Sequence, residues 1–284
     1  MTSTNRSINY KTRGIPASDG AGVRLTRIIG SPELEQLDPF LMLDYFESTN
    51  PNDYIAGFPP HPHRGFETVT YLLAGNMRHK DNKGHEGLIK AGGVQWMTAG
   101  KGIIHSEMPE QEDGLMMGFQ LWVNLPSSAK MVEPSYQEFS PDEISLEQRN
   151  NDTQIKVVTG KTSQGTIGPV KNSYIQPLMM DVTLQNGAEF TETIDFDANA
   201  FIYLISGSLK LTQAQSGFKE IQAKELAILS EGDNIHLTAS TDNTRFLLVA
   251  AQPINEPIAK GGPFVMNTQS EIKQAIADYN NGLF

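Results

Sequence analysis

Two short segments, His61-Pro62-His63 and His105-Ser106-Glu107, each set a pair of potential metal ligands two residues apart. On a β-strand residues i and i+2 point to the same face, so each pair aims both members at one spot. Two such strands facing each other inside a small barrel offer three imidazoles and one carboxylate to a single ion. That donor set suits a divalent transition metal and leaves coordination positions for substrate or oxygen. The pairs therefore constrain the fold and the chemistry together.

The surrounding sequence agrees with strands. From about Gly22 to Leu125, alternating runs such as Thr68-Val-Thr-Tyr-Leu-Leu and Gly118-Phe-Gln-Leu-Trp-Val are cut by Gly, Pro and Asn. Many short strands at close spacing predict a sandwich or barrel, hence an all-β protein. Leu125 to Asn151, with Pro126, Pro134 and Pro141, reads as a connector, and strand patterning resumes at Ile155. Tyr71-Leu-Leu-Ala-Gly75 recurs as Tyr203-Leu-Ile-Ser-Gly207, each followed by a polar turn, another alternating segment and a Gly-containing turn. The shared order predicts two copies of one β domain, 1–133 and 134–284. At 284 residues, either arrangement can bury a real core. Near the end, Thr268-x-x-Glu271 forms a capping box ahead of an apolar stripe, Ile272, Ala275, Ile276 and Tyr279, which predicts a short C-terminal helix.

Composition narrows the function. There are no cysteines, which removes disulfides, thiolate metal sites and thiol nucleophiles, so a metal must be held by His, Asp or Glu. A net charge of −11 argues against direct nucleic-acid binding, which draws most of its affinity from a basic face. No apolar run approaches the length of a membrane span, and the start lacks an apolar signal region, so a cytoplasmic protein is expected. The other histidines read as bystanders. His79 and His85 lie in a polar, hairpin-like stretch and are expected in solvent. His236 alternates with Ile235 and Leu237 and faces away from their core, so the second copy has lost its ligands. Spacing leaves the carboxylate open: Glu67 shares parity with His61 and His63 unless a bulge falls at Gly65, and Glu107 is the alternative.

The metal region resembles the first domain of a cupin, and more closely the pirin family, a bicupin group. The matching words are Asp38-Pro-Phe-Leu-Met-Leu-Asp44, His61-Pro-His-Arg-Gly-Phe-Glu67-Thr and Gln95-Trp-Met-Thr-Ala-Gly-Lys-Gly-Ile-Ile-His105-Ser-Glu107-Met-Pro. Leu121-Trp-Val-Asn-Leu, Met131-Val-Glu-Pro and Gly262-Pro-Phe-Val-Met-Asn-Thr268 follow in family order. The resemblance implies two tandem jelly-roll-like barrels with iron in the first, held by His61, His63, His105 and Glu107. It also implies that Asp44, Phe58, Met77 and Gln120 surround a substrate cavity. Lys101 stands where many relatives carry Arg, a change that matters at a bidentate contact.

Two functions follow from the resemblance. One is a quercetin 2,3-dioxygenase, a quercetinase that cleaves a flavonol with O2 and releases CO. Fe(II) is the expected cofactor, and Mn, Ni, Cu, Co or Zn fit the same donors. In that scheme Glu107 takes the proton of the flavonol 3-hydroxyl, while Phe58 and Met77 pack on the flat rings. The other is a non-enzymatic iron protein that binds a protein partner, a transcription factor or metabolic enzyme, according to metal redox state. A Zn or Mn isomerase on the same barrel is a third reading.

Overall fold

The structure, a computed structural model, describes residues 4–150, 152–212 and 219–284. Among these, runs of β-branched, aromatic and leucine residues broken by Gly, Pro and Asn form twenty-four strands and one α-helix. The first half holds β1 (Ile8–Thr12), β2 (Ile15–Asp19), β3 (Val23–Ile29), β4 (Phe40–Ser48), β5 (Phe58–His63), β6 (Phe66–Ala74), β7 (Asn76–Asp81), β8 (Glu86–Lys90), β9 (Val94–Thr98), β10 (Ile103–Pro109), β11 (Met116–Asn124) and β12 (Ser135–Phe139). The second holds β13 (Ser145–Arg149), β14 (Thr153–Thr159), β15 (Leu178–Leu184), β16 (Glu189–Thr193), β17 (Asn199–Ser206), β18 (Ser208–Leu211), β19 (Glu220–Gln222), β20 (Leu226–Leu229), β21 (Asn234–Ala239), β22 (Thr244–Ala251), β23 (Ala259–Gly261), β24 (Phe264–Met266) and α1 (Gln269–Asn280).

The chain divides into two units, each made of two segments. Ile15–Pro141 with Ile254–Phe284 is the first, and Met1–Gly14 with Asp142–Pro253 the second. Where the sequence suggests one boundary between 133 and 134, the structure changes unit near residues 14, 141 and 253. Two distant pairings cause this. β1 runs antiparallel to β20, with Ile8 opposite Leu229. At the other end, Ile272 and Ala275 of α1 pack with Ala259, Phe264 and Met266, and Ile104 borders that cluster. Neither contact leaves a mark on local composition.

Each unit contains a seven-stranded and a four-stranded antiparallel sheet, and their strand orders correspond throughout. The first runs β12-β9-β6-β11-β4-β3-β2 and β5-β10-β7-β8; the second runs β1-β20-β17-β22-β15-β14-β13 and β16-β21-β18-β19. The repeated Tyr-to-Gly words mark equivalent corners, where β6 and β17 end at Gly75 (φ 88°) and Gly207 (φ 85°). Left-handed backbone of this kind is where glycine is favoured. Counting four residues on from each corner reaches His79, opposite Glu107, and Leu211, opposite Leu237. The positions of Glu107 and His105 are thus Leu237 and Ile235 in the second unit, both fully buried. They join an apolar core with Phe190 and Phe246, whose rings meet edge to face at 5.5 Å. His236 points the other way, half-buried, as alternation predicts.

The capping box forms as the sequence predicts. Thr268 Oγ1 accepts from the Glu271 amide at 3.2 Å, and Glu271 Oε2 accepts from the Thr268 amide at 2.8 Å. Of the stripe, Ile272 and Ala275 are buried while Ile276 and Tyr279 stay at the exposed margin. Thr268→Ala should cost about 1 kcal/mol, read as a lower urea midpoint for the first unit. An unchanged midpoint would show that tertiary contacts alone hold α1.

Candidate metal centre

The site is assembled by the four-stranded sheet of the first unit. β5 and β10 are antiparallel neighbours, with His105 opposite His61 and Ile103 opposite His63. One nitrogen from each of His61, His63 and His105 lies within 4.8 Å of the other two. The Nε2 atoms of His61 and His63 are 3.0 Å apart. His61 Nδ1 donates to the Pro59 carbonyl at 2.8 Å, which leaves the Nε2 lone pair turned toward the cluster. Trp122 and Phe66 brace the ring of His63 edge-on at 5.2 and 5.1 Å.

Burial, and then the neighbouring imidazoles, push His63 and His105 well below the ordinary histidine range. Both therefore remain neutral at pH 7, the form that ligates. His105 is 1% exposed, and neither of its ring nitrogens has a hydrogen-bond partner. A buried polar group left without a partner is costly. Three neutral imidazoles converging within ligand distance relieve that cost if they share an ion, so these residues fit a transition metal that prefers nitrogen donors.

Both candidate carboxylates are buried, in different surroundings. Glu107 lies two residues beyond His105, but the register shifts between them and sets Glu107 opposite Phe58. Its Oε1 accepts from Thr70 Oγ1 at 2.6 Å, and Gln120 Nε2 donates to Oε1 and Oε2 at 3.1 and 2.9 Å. It falls outside the three-histidine group. Glu67 does not continue the parity of His61 and His63, because β5 and β6 belong to different sheets. The chain turns between them at Gly65 (φ 87°), where a Cβ would sit 2.0 Å from the Val265 carbonyl. Glu67 instead accepts from Thr98 Oγ1 at 2.7 Å.

This corner is tied down by buried cations. Lys130 Nζ donates to the Gly65 carbonyl, the Val265 carbonyl and Asn124 Oδ1 at 2.8, 3.0 and 2.7 Å, and burial brings its ammonium down to about 8. Arg64, next to His63, pairs with Asp278 of α1 at 2.6 Å and lies over the Phe284 ring at 4.3 Å. Its Nε donates to the Lys101 carbonyl. Lys101 contributes here through its main chain, since its side chain turns outward to Glu133 at 2.6 Å.

A cavity of about 670 Å³ opens on the site. Asp44, Phe58, His61, His63 and Gln120 line it; His105, Glu107 and Met77 do not. Met77 is instead 2% exposed in a core cluster with Phe46, Leu72 and Met116, against which Phe58 packs. Leu25, Leu41, Met42, Phe46 and Trp122 supply an apolar wall. Arg27, Asp19 and Lys260 also line the cavity and escaped the sequence reading. Arg27 left one signal: it follows Val23 and Leu25 at i+2 spacing, a cation on the inward face of β3. Lys260 left none, because β23 reaches the cavity only through the tertiary fold. His79 departs from expectation. β7 alternates inward through it, so it is buried on a strand, Nε2 meeting Glu138 Oε2 at 2.9 Å with the Tyr136 ring stacked at 5.3 Å. His85 is exposed at the hairpin, as expected, with Nδ1 on Asp81.

Comparison with known proteins agrees with this architecture. Residues 22–123 match the pirin profile and residues 179–284 the pirin C-terminal cupin domain. The chain belongs to the pirin family. A pirin-like protein of Caulobacter vibrioides is 50% identical over 96% of each chain. Human pirin is 44% identical over 93% of this chain and 89% of its own. Among solved structures, a quercetin 2,3-dioxygenase from Acinetobacter baumannii superposes with a TM-score of 0.89 at 33% identity, covering 99% of each chain. Two cupin barrels, with a three-histidine cluster in the first, are thus a pirin arrangement. No helix among the described residues is long and apolar enough to cross a membrane.

Proposed function

We propose that this pirin is a metal-dependent dioxygenase that cleaves flavonols such as quercetin with O2 and releases CO. The observation that carries the reading is the three-histidine cluster at an apolar cavity wide enough for a flat polycyclic phenol. The name of the Acinetobacter relative supports the same chemistry. His61, His63 and His105 would hold the ion, with Fe(II) the first candidate and Glu107 the additional ligand. When bound, such an ion supplies a Lewis acid for a substrate oxyanion and a redox-active centre for O2. The chain's own residues do the rest. Phe58, Phe46 and Trp122 pack against aromatic rings, and the apolar wall excludes water from them. Gln120 and Thr70 hold Glu107 in one rotamer, so its orientation is set before substrate arrives.

The test is oxygen uptake together with CO release on quercetin, using anaerobically Fe(II)-loaded protein beside metal-free protein. Metal-dependent appearance of both signals is the expected result. Stoichiometric iron without turnover would end the dioxygenase reading and leave a non-enzymatic iron protein.

A further inference from the structure

Glu107 is the residue the sequence nominates as base, yet it does not line the cavity and its carboxylate already accepts from Thr70 and Gln120. A different carboxylate does line it. Asp44 sits on β4, cross-strand neighbour of Gln120 on β11 and of Arg27 on β3. That row places it one strand from the amide that holds Glu107, on the wall shared with His61 and His63.

Asp44 is built as a proton acceptor. Arg27 donates Nε to Oδ1 at 3.0 Å and Nη2 to Oδ2 at 2.7 Å, a forked pair that keeps the carboxylate oriented and gives its ionised form a partner. Arg27 Nη2 also reaches Asp19 Oδ2 at 2.6 Å, so the guanidinium is itself fixed. Only 3% of Asp44 is exposed. Burial raises its carboxyl above the ordinary range, Arg27 pulls the other way, and Asp19 adds a weaker upward push. A base raised toward the pKa of its substrate transfers protons more efficiently than an ordinary exposed aspartate. A purely structural ion pair would not need to face a substrate cavity.

Resting on the flavonol reading above, we infer that Asp44, not Glu107, is the catalytic base that takes the proton of the substrate's acidic hydroxyl, with Arg27 as its positioning residue. The substrate O–H bond breaks, its electron pair stays on the oxygen, and a new O–H bond forms on the Asp44 carboxyl. The oxyanion so produced lies in the cavity that His61 and His63 line.

The experiment compares wild type, Asp44→Asn and Glu107→Gln, each loaded with metal anaerobically and its metal content measured. Titration with quercetin is followed by absorption, since ionisation of a flavonol moves its long-wavelength band to the red. Wild type should bind the anion, and Asp44→Asn should keep its metal but bind the neutral form. With O2 admitted, kcat of Asp44→Asn should fall roughly 100- to 10,000-fold. It should recover when pH is raised until the flavonol ionises unaided. An Asp44→Asn protein that binds the anion as wild type does, or turns over within a few-fold of it, overturns the assignment. So does a wild type that binds flavonol only in the neutral form. If wild type binds the anion but never consumes O2, the dioxygenase reading fails while the spectra still support Asp44. Should Asp44→Asn not fold, Arg27→Gln leaves the carboxylate in place without its cation. The acid limb of wild-type kcat/KM should then move to higher pH, and an unmoved limb overturns the proposal.

Discussion

His63→Ala is expected to abolish tight metal binding while leaving both barrels folded. His63 is 2% exposed, braced by Phe66 and Trp122, and held neutral by burial, so it is a preorganised donor. Removing it leaves two imidazoles where three converge. Even residues that only orient a ligand change metal affinity by about 10- to 100-fold, so loss of a ligand should exceed 100-fold. Chelator competition with Co(II) would read the affinity. Thermal unfolding gives an independent measure: an ion at about 1,000 times its dissociation constant stabilises wild type by about 4 kcal/mol, and the variant should gain almost none. Retention of one tightly held equivalent by His63→Ala would remove the three-histidine cluster as the metal site.

The second large effect lies far from the metal. Arg6 is 1% exposed, and its five N–H donors meet five backbone carbonyls. Nε donates to Gly232 at 2.7 Å, Nη1 to Ala198 and Ser230 at 2.8 and 2.9 Å, and Nη2 to Asp195 and Phe196 at 2.6 and 3.0 Å. Burial lowers its guanidinium to about 10, with Asp233 first among the acids that oppose the shift, so the charge persists at neutral pH. Arg6→Ala would open a cavity and strand several buried acceptors at once, an expected loss of about 3–5 kcal/mol from the second unit. Arg6→Lys keeps the charge but not the five-donor fork and should recover only part of it. Urea unfolding should show the transition of the second unit at lower denaturant and that of the first unit in place. A loss under 1 kcal/mol would mean water replaces the fork without strain.

Particular residues show how far the sequence could be read. Parity at two residues put His61 beside His63 and Glu107 on the side of His105, because strand alternation is a local steric property that needs no partner strand. The Tyr71 and Tyr203 words exposed the duplication for the same reason, each ending in a glycine that turns a corner. Parity failed at Glu67, since Gly65 moves the chain into another sheet before β6 begins. It was unused at His79, where a run rich in charge suggested solvent although the strand alternates inward through that residue. Met77 illustrates a further limit: a residue assigned to a pocket by resemblance alone lies in the packed layer behind it.

By itself, then, the sequence determined an all-β duplication, the helix at its end, the histidines able to ligate and the barrel that kept them. Each of these follows from interactions within a few residues. The tertiary structure alone decided that His105 stands opposite His61, and that β1 and α1 each join the unit formed mainly by the other half of the chain. It alone set Arg27, Asp44 and Gln120 in one row across three strands, leaving Asp44 rather than Glu107 facing the cavity. Register between distant strands depends on the simultaneous packing of whole sheets, and no local pattern encodes that.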